Sequence, residues 1–217
     1  LCGDIAAVRD QNKEVVVVTS GAIALGMSVL KLQSRPKDLS MLQAAAAIGQ
    51  NELMDVYRGL FRKKGLQCGQ VLLTWEDFSD RARYLNARNT LVKLLKLDAV
   101  PVINENDTVS TAEIKFGDND QLSALVANTV GADLLIILSD VDGLWGRDRK
   151  TVVRLVTDIT DDIKGLATTT QRSTSVGGMI TKIKAARVTT DAGIPCVIAN
   201  GRARNIIRVL AQDPGAC

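Results

Sequence analysis

An α/β fold built on parallel strands is predicted by short apolar runs that alternate with helical patterns along the 217 residues. Most of these runs are apolar throughout, which is typical of strands in a sheet whose two faces are both covered by helices. Repetition of strand, helix and strand implies parallel pairing with right-handed crossovers. The strand candidates are Val15–Thr19, Gln70–Thr74, Val100–Asn104, Leu134–Ser139 and Cys196–Ala199.

Helix candidates lie between these runs and carry apolar residues at helical spacing. Leu39–Lys64 has an alanine-rich stripe and ends at Gly65. We expect this stripe to pack on the sheet, and a subunit contact is the alternative. Thr108–Phe116 is predicted to form a small β excursion, and Gly143–Ser175 to be the least regular part of the chain. The remaining helix candidates are Ser79–Leu97, Asp118–Val130, Met179–Ala192 and Ala203–Ala211.

The composition excludes several classes of function. The sequence has no histidine, which removes Ser-His-Asp and Cys-His nucleophile systems, histidine-ligated zinc and histidine proton shuttles. Its four cysteines are scattered without a C-x-x-C pair, and free thiols suit a reducing compartment. A net charge of +3 and 3% aromatic residues do not favour nucleic acid or membrane as a partner. No apolar run reaches the length of a membrane span, so we expect a soluble, cytoplasmic protein.

Polar residues follow the first strand candidate, at the end where parallel α/β sheets bind ligands. Ser20 and Gly21 allow backbone N–H groups to approach an anion at a helix N-terminus, but a tight strand-to-helix turn accounts for them equally well. The segment Gly21–Ser28 is close to a P-loop in spacing. Met27 stands where the P-loop lysine must be, so we reject a Walker-type site.

A second group of polar residues, Asn104–Asp107, follows the apolar sequence VPVI. Carboxylates suit an ammonium group and amides suit a carboxylate, so these residues can grip a zwitterion. A turn with a helix cap is the alternative. Further along, Asn119 is a candidate substrate contact and Asp120 a candidate for holding a basic group, although Asp118 or Asn119 could simply cap the next helix.

Two later groups are candidates for binding a nucleotide. Ser139 and Asp140 end a strand candidate and could contact ribose hydroxyls or lie near a metal, although an Asp-Gly turn nearby is the simpler interpretation. Gly177 and Gly178 open a helix that carries Thr181 and Lys182 in its first turn. Unpaired backbone N–H groups, the helix dipole and a lysine together form a phosphate cradle. A surface helix with an unrelated lysine is the alternative.

An acid-lined cleft with a lysine and anion-binding loops suits phosphoryl transfer, which depends on positioning and charge neutralisation. A carboxylate acceptor is already ionised at neutral pH and needs no general base. The absence of histidine therefore fits a kinase that forms an acyl phosphate, with positive groups converging where two anions meet. A nicotinamide-dependent dehydrogenase is disfavoured, because no G-x-G-x-x-G follows a strand candidate.

These groups together resemble the glutamate 5-kinase family, within the larger amino-acid kinase fold. The matching segments occur in order and cover nearly the whole chain, and INENDTV followed by EIKFGDND is highly specific. Sister kinases for aspartate, N-acetylglutamate, carbamate or UMP look different at those places. The segments are Val17–Gly26, Gln43–Gln50, Gln70–Thr74, Tyr84–Leu91, Val100–Ala127, Leu134–Leu144, Gly177–Ala186 and Val197–Arg202.

The resemblance implies a three-layer α/β/α sandwich with a mainly parallel sheet, formed by residues 1–217 as one amino-acid kinase domain. It implies transfer of the γ-phosphoryl group of ATP, with Mg²⁺ carried by the nucleotide, to the side-chain carboxylate of L-glutamate. The product, glutamyl 5-phosphate, is the first intermediate of proline biosynthesis. The resemblance also implies a homo-oligomer, either a dimer or a tetramer, and feedback inhibition by proline.

Matching the motifs residue by residue also assigns roles. Ser20, Gly21, Asn104, Asp107 and Asn119 are the expected glutamate-binding residues. Nucleotide binding is expected from Ser139, Asp140, Gly177, Gly178, Met179, Ile180, Thr181 and Lys182. The expected catalytic residues are Lys182, which neutralises charge at the transferring group, and Asp120, which organises the basic groups. We expect Lys182 at an exposed helix position and no metal-ligating side chains.

Two departures from the family pattern accompany the resemblance. The family opens with a strand bearing V-K-x-G-[ST], and this chain begins after that point, so we expect a further strand upstream of Leu1. The family's phosphate loop reads G-T-G-G-M, whereas Ser175 and Val176 precede the glycines here. Family members often add a C-terminal PUA domain, of which we expect nothing in these residues. A catalytically impaired ligand-sensing or scaffold domain of the same fold is the alternative function.

Overall fold

Helices and parallel strands alternate in the computed structural model, which describes residues 1–110, 119–168 and 178–215. The chain divides into two units by its internal contacts. The first unit comprises Cys2 and Asn12–Asn119, and the second comprises Leu1, Gly3–Gln11 and Asp120–Cys217. The strands are β1 (Val17–Val18), β2 (Gln67–Leu73), β3 (Ala99–Glu105), β4 (Leu135–Ser139) and β5 (Cys196–Asn200). The helices are α1 (Cys2–Arg9), α2 (Ala22–Val29), α3 (Leu39–Arg62), α4 (Glu76–Ser79), α5 (Arg81–Lys96), α6 (Asn119–Val130), α7 (Asp161–Thr168), α8 (Met179–Thr190) and α9 (Ile206–Gln212).

Strand β3 is the central strand of the sheet in the first unit, between β1 and β2, and both pairings are parallel. It is buried from its second residue to its last, as expected for a strand with neighbours on both sides. The Thr19 backbone N–H donates to the Ile103 carbonyl at 2.9 Å, which extends the β1–β3 pairing past the end of β1. The residues that follow β1 therefore lie beside Asn104, at the carboxyl end of β3.

Helices α2 and α3 approach each other so closely that glycine is required at their contact. A Cβ atom added to Gly26 would lie 1.7 Å from the Ala45 carbonyl oxygen, and one added to Gly49 would lie 1.8 Å from the Ala22 carbonyl oxygen. Such separations are far inside van der Waals contact, so backbone meets backbone here. The alanine-rich stripe of α3, which we expected to pack on the sheet, thus uses Ala45 against α2.

In the second unit, β4 and β5 pair in parallel, with Leu135 opposite Cys196 and Ser139 opposite Asn200. Alternate residues of β4 belong to two different clusters of apolar side chains, because successive strand residues point to opposite faces. Leu135 and Ile137 pack with side chains of α6 and α8, whereas Ile136 and Leu138 pack with those of α9. Helices thus cover both faces of this sheet, which is the three-layer α/β arrangement that the sequence predicts.

Several element boundaries differ from the sequence prediction. Strand β1 contains only two residues. The helix predicted over Ser79–Leu97 is broken at Asp80, whose carboxylate accepts from the Arg83 N–H at 2.9 Å and so caps α5. The helix predicted from Ala203 begins at Ile206, because Asn205 has a left-handed backbone with φ of 56°.

The segment predicted to be least regular contains helix α7 and an antiparallel bridge between Trp145 and Val152. Asp148 stabilises the turn within this bridge, since its carboxylate accepts from the backbone N–H groups of Lys150 and Thr151. The β excursion predicted over Thr108–Phe116 lies outside the described residues beyond Ser110. In the described ranges, no helix combines the length and apolar character needed to cross a membrane.

Candidate active site

Buried polar side chains gather at the carboxyl end of β3 in the first unit. Asn104 is 2% exposed and Glu105 is 9% exposed, at the two last positions of the strand. The Glu105 carboxylate accepts from the Ser110 hydroxyl at 2.8 Å. Burial of polar groups is unfavourable unless they are hydrogen-bonded, so this cluster requires a specific network of partners.

Three side-chain amides form that network. Asn104 Oδ1 accepts from the Glu105 backbone N–H at 2.9 Å and from Asn119 Nδ2 at 2.7 Å. Asn104 Nδ2 donates to Gln50 Oε1 at 2.8 Å. Asn119 Nδ2 also donates to the Thr19 carbonyl oxygen. The predicted substrate residues Asn104 and Asn119 are therefore in direct contact, and Gln50 joins them.

The other substrate residues predicted in this unit follow β1 and β3. Ser20 is exposed and directly follows β1 and Thr19. Gly21 is the residue before α2 and has φ of 104°, a conformation that glycine adopts without strain. Asp107 is half-buried in the turn that follows β3.

Sequence reasoning missed Gln50 and Tyr57 as neighbours of this site. The Tyr57 hydroxyl lies 2.9 Å from the Thr19 hydroxyl, next to the carbonyl group that receives Asn119. Burial raises the pKa of Tyr57, and the hydrogen bond with Thr19 opposes that shift. Gln50 closes the segment QAAAAIGQ, which we used only as a family signature. Its position seven residues after Gln43 gave no sign that its amide would reach β3.

In the second unit, Asp120 and Lys182 form an ion pair between the first turns of α6 and α8. Lys182 Nζ lies 2.8 Å from Asp120 Oδ2, and the two side chains are only 13% and 15% exposed. The prediction that Asp120 holds a basic group agrees with this geometry. The prediction that Lys182 occupies an exposed helix position is wrong, because α8 turns this side chain toward α6.

Thr181 adds a hydroxyl group to the same carboxylate oxygen. Its Oγ1 lies 2.9 Å from Asp120 Oδ2 and 2.8 Å from the Gly178 carbonyl oxygen. A threonine hydroxyl has one proton, so it donates to one of these acceptors at a time. Asp120 Oδ2 is thus positioned to accept from a cation and a hydroxyl at once.

The start of α8 has the features of an anion-binding helix terminus. Gly178 is the residue before the helix and supplies no side-chain cap, so the backbone N–H groups that follow it are not satisfied by a capping side chain. Met179 is 5% exposed and packs with Leu144 and Ile183, so only its backbone can face a ligand. Ile180 is 38% exposed. Gly177 lies outside the described residues.

Ser139 and Asp140 lie at the carboxyl end of β4, as predicted. Ser139 is half-buried and Asp140 exposed, and their side chains contact each other at 3.4 Å. Asp142, two residues on, accepts from Asn200 Nδ2 at 2.8 Å, which joins the loop after β4 to the end of β5. No described hydrogen bond connects Ser139 or Asp140 to the Asp120–Lys182 pair. Across the described ranges, no three acidic or cysteine side chains gather closely enough to hold a metal ion.

Comparisons with known proteins agree with the resemblance drawn from the motifs. The model of the amino acid kinase family matches residues 1–200. A glutamate 5-kinase from Caldanaerobacter subterraneus subsp. tengcongensis is 48% identical over 97% of this chain and 58% of its own length. The glutamate 5-kinase from Rhodopseudomonas palustris TIE-1 is 48% identical over 100% of this chain and 59% of its own length. The glutamate 5-kinase from Burkholderia thailandensis is 49% identical over 96% of this chain and 57% of its own length. The chain thus spans less than two thirds of these relatives.

Solved structures share the fold at low sequence identity. Carbamate kinase from Giardia lamblia bound to AMP-PNP has a TM-score of 0.64 and 19% identity, over 98% of this chain and 84% of that one. Uridylate kinase from Archaeoglobus fulgidus has a TM-score of 0.56 and 18% identity, over 98% and 86%. The match to the family model over residues 1–200 shows that the chain belongs to the amino acid kinase family.

Proposed function

We propose that this chain is the kinase domain of a glutamate 5-kinase, which transfers the γ-phosphoryl group of ATP to the side-chain carboxylate of L-glutamate. The observation that carries the proposal is its 45–49% identity with glutamate 5-kinases over nearly its whole length. Solved relatives that act on carbamate or uridylate are only 18–19% identical. The substrate class is therefore assigned from the glutamate-specific relatives.

The first unit supplies the polar groups for glutamate. Asn119 donates a hydrogen bond to Asn104. Ser20 lies in the loop after β1, and Asp107 lies in the turn after β3. The Asp107 carboxylate suits an ammonium group, and the hydroxyl of Ser20 with the N–H groups that follow Gly21 suits a carboxylate. This combination of groups favours an amino acid as the ligand.

The second unit supplies the polar groups for ATP. The start of α8, which no side chain caps, and the Lys182 ammonium would fit a triphosphate, and Ser139 with Asp140 would contact the nucleoside. Magnesium carried by ATP would supply positive charge that offsets the charge of the phosphates. Lys182 would add a positive charge at the transferring group, and Asp120 would keep that ammonium in place before ATP arrives.

The reaction needs no protonation step from this chain. The acceptor carboxylate is ionised at neutral pH, and no histidine is present in the sequence. What remains for the protein is to hold two anions together and neutralise their repulsion. The positive charge of Lys182 would contribute to that neutralisation.

A hydroxylamine trap tests the proposal directly. The full-length protein is incubated with MgATP, hydroxylamine and L-glutamate, and an acyl phosphate appears as the hydroxamate together with one ADP. L-aspartate, which is one methylene shorter, is the matched control and should give at least tenfold less product. ADP release that does not depend on L-glutamate, or that prefers aspartate or UMP, would overturn the substrate assignment. No turnover with any acceptor would favour the ligand-sensing or scaffold alternative.

The resemblance extends to three further properties that we include in the proposal. Proline, which shares the ammonium and α-carboxylate groups of glutamate, would compete at the glutamate site. The enzyme would form a homo-oligomer and act in the cytoplasm. Competition of proline with L-glutamate in the same assay, and the mass of the protein in light scattering, test the first two.

A further inference from the structure

The amide of Gln50 contains a buried hydrogen-bond donor without a described partner. Gln50 is 8% exposed, and its Nε2 atom is hidden from solvent with no hydrogen-bond partner among the described residues. A buried unpaired donor is unfavourable for folding and calls for an explanation. An apolar side chain of the same size would avoid it. The explanation must therefore lie in what the other end of this amide does.

The directions of the hydrogen bonds around Gln50 are set by two backbone groups. The Glu105 N–H can only donate, so the Asn104 atom that it contacts is the oxygen. The Thr19 carbonyl can only accept, so the Asn119 atom that it contacts is the nitrogen. Asn104 Nδ2 therefore faces Gln50, and the Gln50 atom that accepts its hydrogen bond is Oε1. This order excludes Asn104 as an acceptor for Gln50 Nε2, and none of the other described residues accepts from it.

The same order determines which atom Asn119 offers to a ligand. Both N–H bonds of its amide are used, one on the Thr19 carbonyl and one on Asn104 Oδ1. Among the described residues, nothing donates to Asn119 Oδ1. Asn119 thus presents an acceptor, which matches an ammonium group and not a carboxylate.

Packing fixes the Gln50 side chain at its end of the network. Gly49 lies against the Ala22 carbonyl at a distance that admits no side chain, so the backbones of α2 and α3 are in close contact at this point. Gln50 is the next residue, and its side chain extends from this contact between α2 and α3 to Asn104 on β3. Asn104 therefore meets a fixed acceptor.

We propose that Gln50 is a positioning residue that holds the Asn104 amide, and through it the Asn119 amide, so that Asn119 Oδ1 accepts from the ammonium group of the amino acid substrate. The proposal rests on the proposed function, in that the ligand is an amino acid. Gln50 would thus affect substrate selection without contacting the substrate. Loss of the Gln50 acceptor would allow the Asn104 amide to rotate. Asn104 Oδ1 would then no longer accept from the second N–H of Asn119.

The test compares L-glutamate with glutarate, the same diacid without the ammonium group. Variants of the full-length protein are Gln50→Met, which removes the acceptor at similar volume, and Gln50→Glu, which keeps an acceptor for Asn104. The ratio of the dissociation constants for glutarate and L-glutamate should fall about 10- to 100-fold in Gln50→Met, as for loss of a charge-assisted hydrogen bond. Gln50→Glu should recover most of the ratio. A general loss of packing would weaken both acids equally and leave the ratio unchanged, which would overturn the proposal.

Asn128→Leu is the matched control. Asn128 Oδ1 is the other buried side-chain atom without a partner among the described residues, and it lies in the second unit near the end of α6. Its replacement should change stability but leave the glutarate-to-glutamate ratio within twofold. A drop in the ratio as large as that of Gln50→Met would contradict the assignment to Gln50.

Hydrogen exchange of side-chain amides separates failure of this proposal from failure of the proposed function. In ligand-free protein, the Asn119 NH₂ group should exchange slowly because both protons are bonded, and Gln50→Met should speed its exchange at least tenfold. Fast exchange in the unsubstituted protein would overturn the proposal even if the enzyme phosphorylates glutamate. Slow exchange in a protein that binds no glutamate would uphold the network but overturn both the amino acid substrate and the role of Gln50 in selecting it.

Discussion

Replacing Lys182 with Met should lower both activity and stability, and a second substitution should separate the two effects. Lys182 Nζ and Asp120 Oδ2 are 2.8 Å apart with side chains only 13% and 15% exposed. At an effective dielectric constant of about 20, Coulomb's law gives an attraction of about 6 kcal/mol at this separation. Desolvation of the two ions offsets most of that gain, so the net contribution of the pair is small.

Removal of only one partner should change the free energy of unfolding by more than the net contribution of the ion pair. Lys182→Met leaves a carboxylate in a mostly buried position without its cation, and we expect a loss of about 3 kcal/mol in the free energy of unfolding. In the double variant Lys182→Met with Asp120→Asn, no charge is stranded, and stability should return to within about 1 kcal/mol of the unsubstituted protein. Activity should stay about 10²- to 10³-fold lower in both variants, because the charge at the transferring group is gone.

Urea unfolding and the hydroxylamine assay measure these two quantities on the same preparations. Lys184→Met is the control, since Lys184 is exposed on the same helix and should change stability by no more than about 0.5 kcal/mol. Recovery of activity in the double variant would refute the catalytic role of Lys182. Unchanged stability in Lys182→Met would refute the argument about the stranded carboxylate.

Three further changes have outcomes that follow from the structure. Gly26→Ala should destabilise the protein by about 3 kcal/mol or more, because its Cβ would overlap the Ala45 carbonyl. Gly59→Ala, at an exposed position of α3, should instead stabilise it by about 0.5–1 kcal/mol, and urea unfolding measures both changes. Asp107→Asn should raise the KM for L-glutamate with little change in the KM for ATP, because it weakens the grip on the ammonium. Burial raises the pKa of Cys196 from 9.0 to about 12, so between these pH values the unfolded thiol ionises while the folded one stays protonated. Stability should therefore fall by about 1.4 kcal/mol per pH unit in that window, and Cys196→Ala should remove this part of the fall.

Each of these expectations has an outcome that contradicts it. Equal stability of the Gly26 and Gly59 variants would mean that α2 and α3 can separate without penalty. Parallel increases in the KM values for glutamate and ATP would contradict the placement of Asp107 at the amino acid. Identical pH profiles for the unsubstituted protein and Cys196→Ala would mean that water reaches this thiol.

Elements with continuous apolar sequence were predictable, and those fixed by single capping or pairing residues were less so. Strand β3 follows from VPVIN, because a central strand must be apolar on both faces. The break between α4 and α5 depends on one carboxylate, that of Asp80, which lies inside an otherwise helical pattern. Helix α7 was missed because Gly143–Ser175 mixes charged residues with a polar run that shows no clear helical period.

At the candidate site, the sequence identified the residues by chemical type but not the partner each would choose. Asn104 and Asn119 were recognised as polar residues at strand and helix ends, and they contact each other in the structure. Gln50 could not be recognised, since its contact with Asn104 joins positions 54 residues apart. Lys182 was expected to be exposed because spacing alone does not show which side of α8 meets α6.

The hydroxyl of Thr181 has a consequence for the movement of the neighbouring ammonium. In the proposed reaction, Lys182 Nζ would move from Asp120 Oδ2 to a phosphate group, and Asp120 would then lose the charge of its cation. The Thr181 hydroxyl can rotate its proton from the Gly178 carbonyl to Asp120 Oδ2 and would then donate to this carboxylate in place of Lys182. This second donor to Asp120 would lower the free-energy cost of moving the Lys182 ammonium to a nucleotide, and the ion pair would form again once the product nucleotide leaves.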